Sequence, residues 1–402
     1  MHHDGGVAVI GGGPVGLAAA LLLAGQGLQV TLCERHAPSR PTRGAPPAPR
    51  VLALSLASIS LLEQCGAWLG IPRDQACPFL EMAVWGRHGG RLRFHAGELP
   101  ADALGAVVDA AWLHDALWQA AMDHPGVQWY AGDVSLEQGT RPAVRTAADV
   151  LQPSLVVLAD GMFSRNRARA GIPWMWHGYG EQALQAVLQP EMPHAQAARQ
   201  WFTDEGPMAL LPLAHGNVAL VWSVPAGYAQ QLMAMPEEML CQLVSRASHW
   251  ELGACRLVSQ RLAQPLACAM AMPIAAPGVV AIGDAAHVVH PLAGQGVNLG
   301  FGDADALAGC IVEGRNRNLD CGDALVLRAY HNRRLWQQGS MLAGCHGLHA
   351  LFTSPLAPWA SAGLGVVDRL SPLKRFLART AAGRHGLRQS RESVTKALLW
   401  GE

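Results

Sequence analysis

Lysine is almost missing from this sequence. Of 30 basic side chains in 402 residues, only Lys374 and Lys396 are lysines, and both stand near the C-terminal end. A P-loop needs a lysine directly after a Gly-rich turn, so that phosphate site is excluded. Schiff-base chemistry by a lysine is argued against on the same ground. An excess of either charge is missing too. Thirty acids offset the bases, and a formal net charge of zero gives no global field to draw nucleic acid. The nine cysteines (33, 65, 77, 241, 255, 268, 310, 321, 345) contain no C-x-x-C pair. Their odd number and scattered spacing argue against a disulfide framework or a structural zinc site, so a reducing cytoplasm is the simplest compartment. His2-His3 is too short to be a metal site, and no metal is expected. Nothing approaches the run of about 18 apolar residues that spans a bilayer. A first strand at Val7 leaves no room for a signal peptide.

What is there begins with Val7–Glu34. Val7–Ile10 reads as a buried parallel strand. Gly11, Gly13 and Gly16 follow at G-x-G-x-x-G spacing, an Ala/Leu run to Ala24 reads as a buried helix, and Gln29–Cys33 reads as a second strand ending at Glu34. Gly11 permits the tight turn, Gly13 lets backbone approach a pyrophosphate, and Gly16 lets helix and strand pack closely. The helix start offers N–H groups and a positive dipole end to phosphates. Glu34 is placed for ribose hydroxyls, which favours FAD or NAD over NADP. A Gly-rich packing turn is the plain alternative, but the whole strand–turn–helix–strand–acid unit is far more specific than the glycines alone.

Further on, Pro38–Pro49 is a loop ending at Arg50, and Val51–Trp68 reads as a helix. Arg50 either meets a phosphate or flavin edge or is a solvated helix-start arginine. Met82–Phe94 reads as a hairpin around Gly89-Gly90, Ala111–Met122 as a helix, and Val127–Asp133 and Ser154–Leu158 as strands. The last of these runs into Ala159-Asp160-Gly161. Residues 172–265 lose Gly-rich turns and gain tryptophans and prolines. There, Ala209–Pro225 reads as two strands about His215-Gly216-Asn217, and Met233–Ala247 as a helix. Val279–Ile282 returns to buried-strand composition, and beyond Arg315 the chain reads as mostly helical.

Residues 283–298 carry the second signal. Asp284 follows a strand and a glycine, at the edge where open α/β sheets bind ligands. Its carboxylate suits a polyol such as the ribityl chain of FAD, with helix capping as the alternative. His287 and His290 have no third metal-type ligand nearby in sequence and read as packing or hydrogen-bonding residues. Gly294-Gln295-Gly296-Val297-Asn298 starts a helix whose dipole favours the anionic edge of a reduced isoalloxazine.

These segments together resemble the class A flavoprotein monooxygenases, single-component FAD aromatic hydroxylases. The carriers are GGGPVG with Glu34-Arg35, ADG with Ser164, and GDAAH–HP–GQGVN. LPL…VWS (211–223), HPLAGQGVNLG, YHNRR (330–334) and the 351–383 tail resemble the ubiquinone-biosynthesis hydroxylases in particular. The chain departs from their pattern at Ala48, usually Asp, and at Ala110–Leu117, which lacks a polar Asn/Arg-type start.

The resemblance implies an α/β, para-hydroxybenzoate-hydroxylase-like fold. A discontinuous Rossmann-like FAD-binding domain would occupy 1–171 and 266–330, with an inserted sheet-plus-helix substrate domain at 172–265 and a helical region at 331–402. It implies that Gly11, Gly13, Pro14, Val15 and Gly16 cradle the FAD pyrophosphate, with Glu34, and Arg35 beside it, at the ribose and Val134 by the adenine. Asp160 and Gly161 would lie near pyrophosphate and ribityl, Asp284 at the ribityl chain, and Arg50 at the cofactor. Pro291, Gly294, Gln295, Gly296, Val297 and Asn298 would line the isoalloxazine.

The implied reaction is hydroxylation of a polyprenylated phenol by O2 through a flavin C4a-hydroperoxide, with NAD(P)H or another donor as reductant. No catalytic acid or base is named by the sequence. The rival readings are an FAD reductase of lipid double bonds and a non-catalytic flavoprotein scaffold of quinone-pathway enzymes. The tail from Val366 to Glu402 has eight basic residues and three acids. It also places Leu370, Leu373 and Leu377 on one helical face. A water-insoluble substrate makes peripheral contact with the inner face of a membrane, or a quinone-biosynthesis complex, the partner expectation. Solvated arginines beside ordinary packing are the plain alternative.

Overall fold

The computed structural model describes residues 6–98, 101–137, 139, 141–290, 295–370 and 374. A six-stranded sheet forms the nucleotide-binding side, in the order 275–276, 279–281, 155–158, 7–10, 30–34, 127–131. All its pairs are parallel except 275–276 with 279–281. Val7–Ile10 and Leu155–Leu158 are buried at every position, as continuous apolar runs in a covered parallel sheet should be. Helix Pro14–Gly25 packs between this sheet and helices Ala110–Asp123 and Gly296–Arg315.

A second sheet of nine strands has its own core, in which Leu184, Trp201, Leu220 and Trp222 are buried together. It contains Trp174–Pro190, Ala197–Phe202, Pro207–Pro212, Val218–Pro225 and Leu262–Ala271. Helices Ala226–Ala234 and Glu237–Ala247 cover it, separated at Met235-Pro236 where one helix was expected.

Several expectations are corrected. Val51–Ser55 is a strand paired with Gly105–Asp109, and the helix begins only at Leu56, capped by the Ser55 hydroxyl. The local run LALSLASISLL fits either period, and long-range pairing decides it. Arg50 therefore precedes a strand and does not start a helix. The hairpin Glu81–Trp85 and Arg91–His95, expected within the first FAD segment, joins the nine-stranded sheet through parallel pairing with Ala197–Phe202. The expected boundaries at 265/266 and 330/331 fall inside strand Leu262–Ala271 and helix Ala324–Thr353.

One buried carboxylate ties the nucleotide side together. Asp303, on helix Gly296–Arg315, is fully buried. It accepts from His287 Nε2 (2.5 Å), Gly283 N–H (2.9 Å), Arg334 Nε (2.6 Å) and Gln338 Nε2 (3.0 Å). Burial alone would raise its carboxyl, but the His287 and Arg334 charges and these bonds outweigh it and hold it at about 2. Its folded value lies below the ordinary one of about 3.9. The stabilisation is therefore complete above about pH 4 and is lost as pH falls through about 2. Asp303→Ala leaves Arg334 buried without its counter-charge. We expect a loss of about 3–5 kcal/mol in urea unfolding at pH 7, shrinking in the same measurement as the pH approaches 2.

Candidate functional site

Three loops meet at the C-terminal edge of the parallel sheet. Backbone bonds set their heights: Gly11 N–H donates to Cys33 O (2.9 Å), Ala159 N–H to Ile10 O (2.8 Å) and Ile282 N–H to Leu158 O (3.0 Å). Gly11 has φ +109°, and a Cβ on it would stand 2.4 Å from Ala159 O. A Cβ on Gly16 would stand 2.0 Å from Gly11 O. Gly13 faces open space. It caps a helix that has Pro14 at its first turn, no side-chain cap and no acid there, so its N–H groups suit an anion.

Val15 locks the first loop to the third. A Cβ on Gly300 would meet Val15 Cγ2 at 2.6 Å, and one on Gly283 would meet Val15 Cγ1 at 3.1 Å. Glu34 is fixed by Gly12 N–H to Oε2 (2.7 Å) and Arg35 N–H to Oε1 (2.7 Å), leaving further lone pairs for a ribose. Arg35 pairs with exposed Asp133 at 2.7 Å, and the neighbouring Val134 packs against the core.

In the second loop, Asp160 Oδ2 accepts from Asn166 Nδ2 (3.0 Å), while Oδ1 is buried with no partner. Gly161 has φ +84° and open space around it. Arg167 clamps this loop to the third, donating to Ala285 O and Met162 O at 3.0 Å each. Asp284 reaches solvent but stands deep among protein atoms. Desolvation raises its carboxyl, opposed by the charges of His287 and Arg50. Arg50 is exposed on the chain just before strand Val51–Ser55, near enough for its charge to act on Asp284.

The helix start is shaped as expected at Gln295, its N-cap position, and Gly296, which faces open space. Val297 packs on the core. The Asn298 amide is engaged with protein: Oδ1 accepts from Ser55 N–H (2.9 Å) and Ser58 Oγ (2.7 Å), and Nδ2 donates to Ala53 O (2.9 Å). Pro291 and Gly294 lie outside the described residues.

Sequence reasoning missed several contributors. Gly12 was readable in the GGG run, because a Cβ there would lie 2.7 Å from Glu34 Cγ. His114 donates from Nε2 to Gly12 O (2.7 Å) from a helix that carries no motif. Asn166 and Asp303 likewise carry no local signature, and Arg334 stood within the YHNRR segment with no role assigned to it. Glu181 and His349 converge on His290 from distant segments: His290 Nε2 lies 3.4 Å from Glu181 Oε2, and His349 Nε2 lies 2.9 Å from Oε1.

The cradle fits FAD. It offers two helix starts without side-chain caps, glycines open toward the cleft, and an unpartnered buried oxygen on Asp160. The FAD binding domain family matches residues 4–336. The chain is 32% identical over 384 residues to the 3-demethoxyubiquinol 3-hydroxylase of Escherichia coli (strain K12), covering 94% of this chain and 98% of that protein. It is 31% identical over 385 residues to the ubiquinone hydroxylase UbiL of Rhodospirillum rubrum, covering 94% and 89%. In fold it is similar to p-nitrophenol 4-monooxygenase PnpA from Pseudomonas putida, with a TM-score of 0.75 at 19% identity over 97% of this chain and 100% of that one. PqsL from Pseudomonas aeruginosa gives 0.72 at 24% identity over 90% and 100%.

Asp284→Ala should leave the fold intact and weaken FAD about tenfold or more, the size of one or two hydrogen bonds to a charged group. Titration of stripped protein with FAD, followed by flavin absorbance, reads this. Unchanged retention returns Asp284 to a purely capping role.

Proposed function

Because the chain belongs to the FAD binding domain family, and within it to the ubiquinone-biosynthesis hydroxylases, we propose that it hydroxylates the aromatic ring of a polyprenylated phenol in ubiquinone biosynthesis. O2 and NAD(P)H or another donor are the co-reactants. The observation that carries this reading is the convergence of three FAD-type loops in a chain that matches named hydroxylases along almost its whole length. FAD supplies the oxygen chemistry when bound. The protein's part is to hold it: Gly11–Gly16 and Glu34 at one end, Asp160 and Asp284 along the middle, and the start of helix Gly296–Arg315 at the ring. The test gives purified protein NAD(P)H and a short-chain prenylated phenol, with O2 uptake and product mass as readouts. Hydroxylated ring is expected. Anaerobic reduction of a side-chain double bond would instead favour the reductase, and neither reaction would favour the scaffold.

The substrate's insolubility raises the question of where the enzyme meets it. Among the described residues no helix is long and apolar enough to cross a membrane. Helix Ala357–Arg369 partly packs on the 81–95 hairpin, where Asp368 accepts from Arg93 N–H (3.0 Å) and Ser361 accepts from His88 N–H (3.3 Å). Phe352 stacks on Phe202 at 3.7 Å. Trp336 and Trp359 nonetheless stay about four-fifths exposed (82% and 78%), and Leu356, Val366 and Leu370 are exposed with them. Lys374 is spent on Glu98 (2.8 Å) and Asp368 (3.3 Å). The other basic residues beyond Leu370, with Leu373 and Leu377, lie outside the described residues. This apolar fringe beside a basic tail supports peripheral docking on anionic lipid. Full-length protein should pellet with anionic vesicles at low salt, and protein truncated after Leu370 should pellet less. Equal pelleting, or none by either, would end that reading and leave a protein partner to present the substrate.

A further inference from the structure

Strand Trp174–Pro190 is interrupted midway. Its pairing with Leu262–Ala271 runs from Trp174↔Ala271 to Gly178↔Ala267 and resumes at Gln182↔Pro265, so Tyr179, Gly180 and Glu181 stand opposite Leu266 alone. Gly180 takes φ +70° there. Bulges re-aim side chains, and this one brings Glu181 to His290 and His349. In sequence His290 has no third metal-type ligand beside it, and His287 is committed to Asp303. The fold supplies what the sequence lacks. One ligand atom each from Glu181, His290 and His349 lie within 4.8 Å of one another.

As hydrogen bonds the contacts are unequal. His349 Nε2 lies 2.9 Å from Glu181 Oε1, an ordinary bond. His290 Nε2 lies 3.4 Å from Oε2, beyond the roughly 2.7–3.2 Å of N–H···O pairs. That separation is instead close to the spacing of two ligands on one tetrahedral zinc, about 3.3 Å when each bond is about 2.05 Å long. Drawing in the widest pair of ligand atoms asks at most about 1.5 Å of side-chain movement. Coordination moves the His290 proton from Nε2 to Nδ1. His290 Nδ1 is buried without a hydrogen-bond partner in either tautomer, so the move orphans no new atom.

An ion reaches His290 through its two neighbours. The side chains of Glu181 and His349 keep 17% and 11% of their surface exposed. Gly180, His346 and Ala350 beside them are exposed. An ion taken by the outer two ligands is already next to His290 Nε2. Exposed His177 and His346 stand further out, 5.9 Å apart between ring centres, with Tyr179 5.5 and 5.8 Å from them. Imidazoles therefore line the approach. Two imidazoles and a carboxylate are a donor set that suits zinc and leaves a fourth position for water. Calcium takes six to eight oxygens and magnesium demands an octahedron of them, which this set does not offer.

We propose that Glu181, His290 and His349 bind one Zn2+ ion per chain, and that the ion clamps the outer half of helix Ala324–Thr353 to the bulged strand. Among the described residues of that helix after Gln338, only Cys345 and Phe352 are buried. This half has little packing of its own, so a metal tie acts where the helix is most loosely held. The proposal does not depend on the hydroxylase reading.

The test strips FAD-loaded full-length protein with a chelator, dialyses it and titrates it with ZnCl2. Metal analysis after gel filtration should find one zinc per chain. Glu181→Gln and His349→Gln keep a hydrogen-bonding group at each position but remove a good ligand atom. Each should weaken zinc by more than the roughly 10–100-fold that loss of an outer-shell partner costs. MgCl2 should not compete. Amide hydrogen exchange of the wild type needs no variant, and decides the matter if either variant fails to fold. Zinc should slow exchange at the outer half of helix Ala324–Thr353 and at the bulge, and leave helix Glu237–Ala247 unchanged. Less than one zinc per chain in the wild type overturns the proposal. So does equal zinc in the folded variants, or exchange that slows elsewhere and not in these two segments, since either would assign the metal to other histidines. No readout involves turnover, so failure here leaves the hydroxylase reading as it stands.

Discussion

The site depends on an ionised carboxylate with no access to water. Asp303 sits on the helix that begins at the cofactor end, among Phe301, Ala304 and Leu307, all buried. An isolated charge there would be untenable. It is held because donors reach it from the 283–287 segment and from helix Ala324–Thr353. The same bonds set the geometry outside. Gly283 N–H fixes the height of the turn that presents Asp284. Arg334 also donates to Leu299 O (2.9 Å), one turn into helix Gly296–Arg315. The turn and the helix start therefore cannot shift independently. A buried ion pair is a poor source of stability compared with apolar packing, and its use here is positional.

The second constraint is the junction of two cores. The nine-stranded sheet packs its own tryptophans, with Trp85 and Trp201 stacked at 4.8 Å across the parallel pairing of distant chain segments. It meets the nucleotide side through Trp174, over whose ring Arg167 lies at 3.6 Å. Arg167 in turn bonds both the second and third loops. The nine-stranded sheet and the loops of the cofactor cradle thus share one cation.

What could be read from the sequence was what is local. Gly11, Gly13, Gly16 and Glu34 announce themselves because turn, helix start and strand end are contiguous, and their roles follow from sterics within about 25 residues. Asp284 was placed at the end of its strand by the same local reasoning. What escaped was set by distance. Asp303 and Arg334 are ordinary helical residues until folding joins them, and Glu181, His290 and His349 come from three elements with no spacing rule between them. The hairpin at 81–95 was recognised as a hairpin, but nothing in its alternation says which sheet it joins. Val51–Ser55 shows the converse failure: its composition suits helix, and the partner strand Gly105–Asp109 overrides it.

The scarcity of lysine acquires a different meaning once Lys374 is placed. Its ammonium is held by Glu98 and Asp368, whose bonds outweigh burial and keep it above its ordinary range. A protonated, salt-bridged amine is a poor nucleophile. Reagents that acylate side-chain amines should therefore be slow at Lys374, and Lys396 is the other lysine in the sequence. A fluorophore or surface linker attached through a lysine would sit in the C-terminal segment, since neither lysine belongs to the three loops of the flavin cleft.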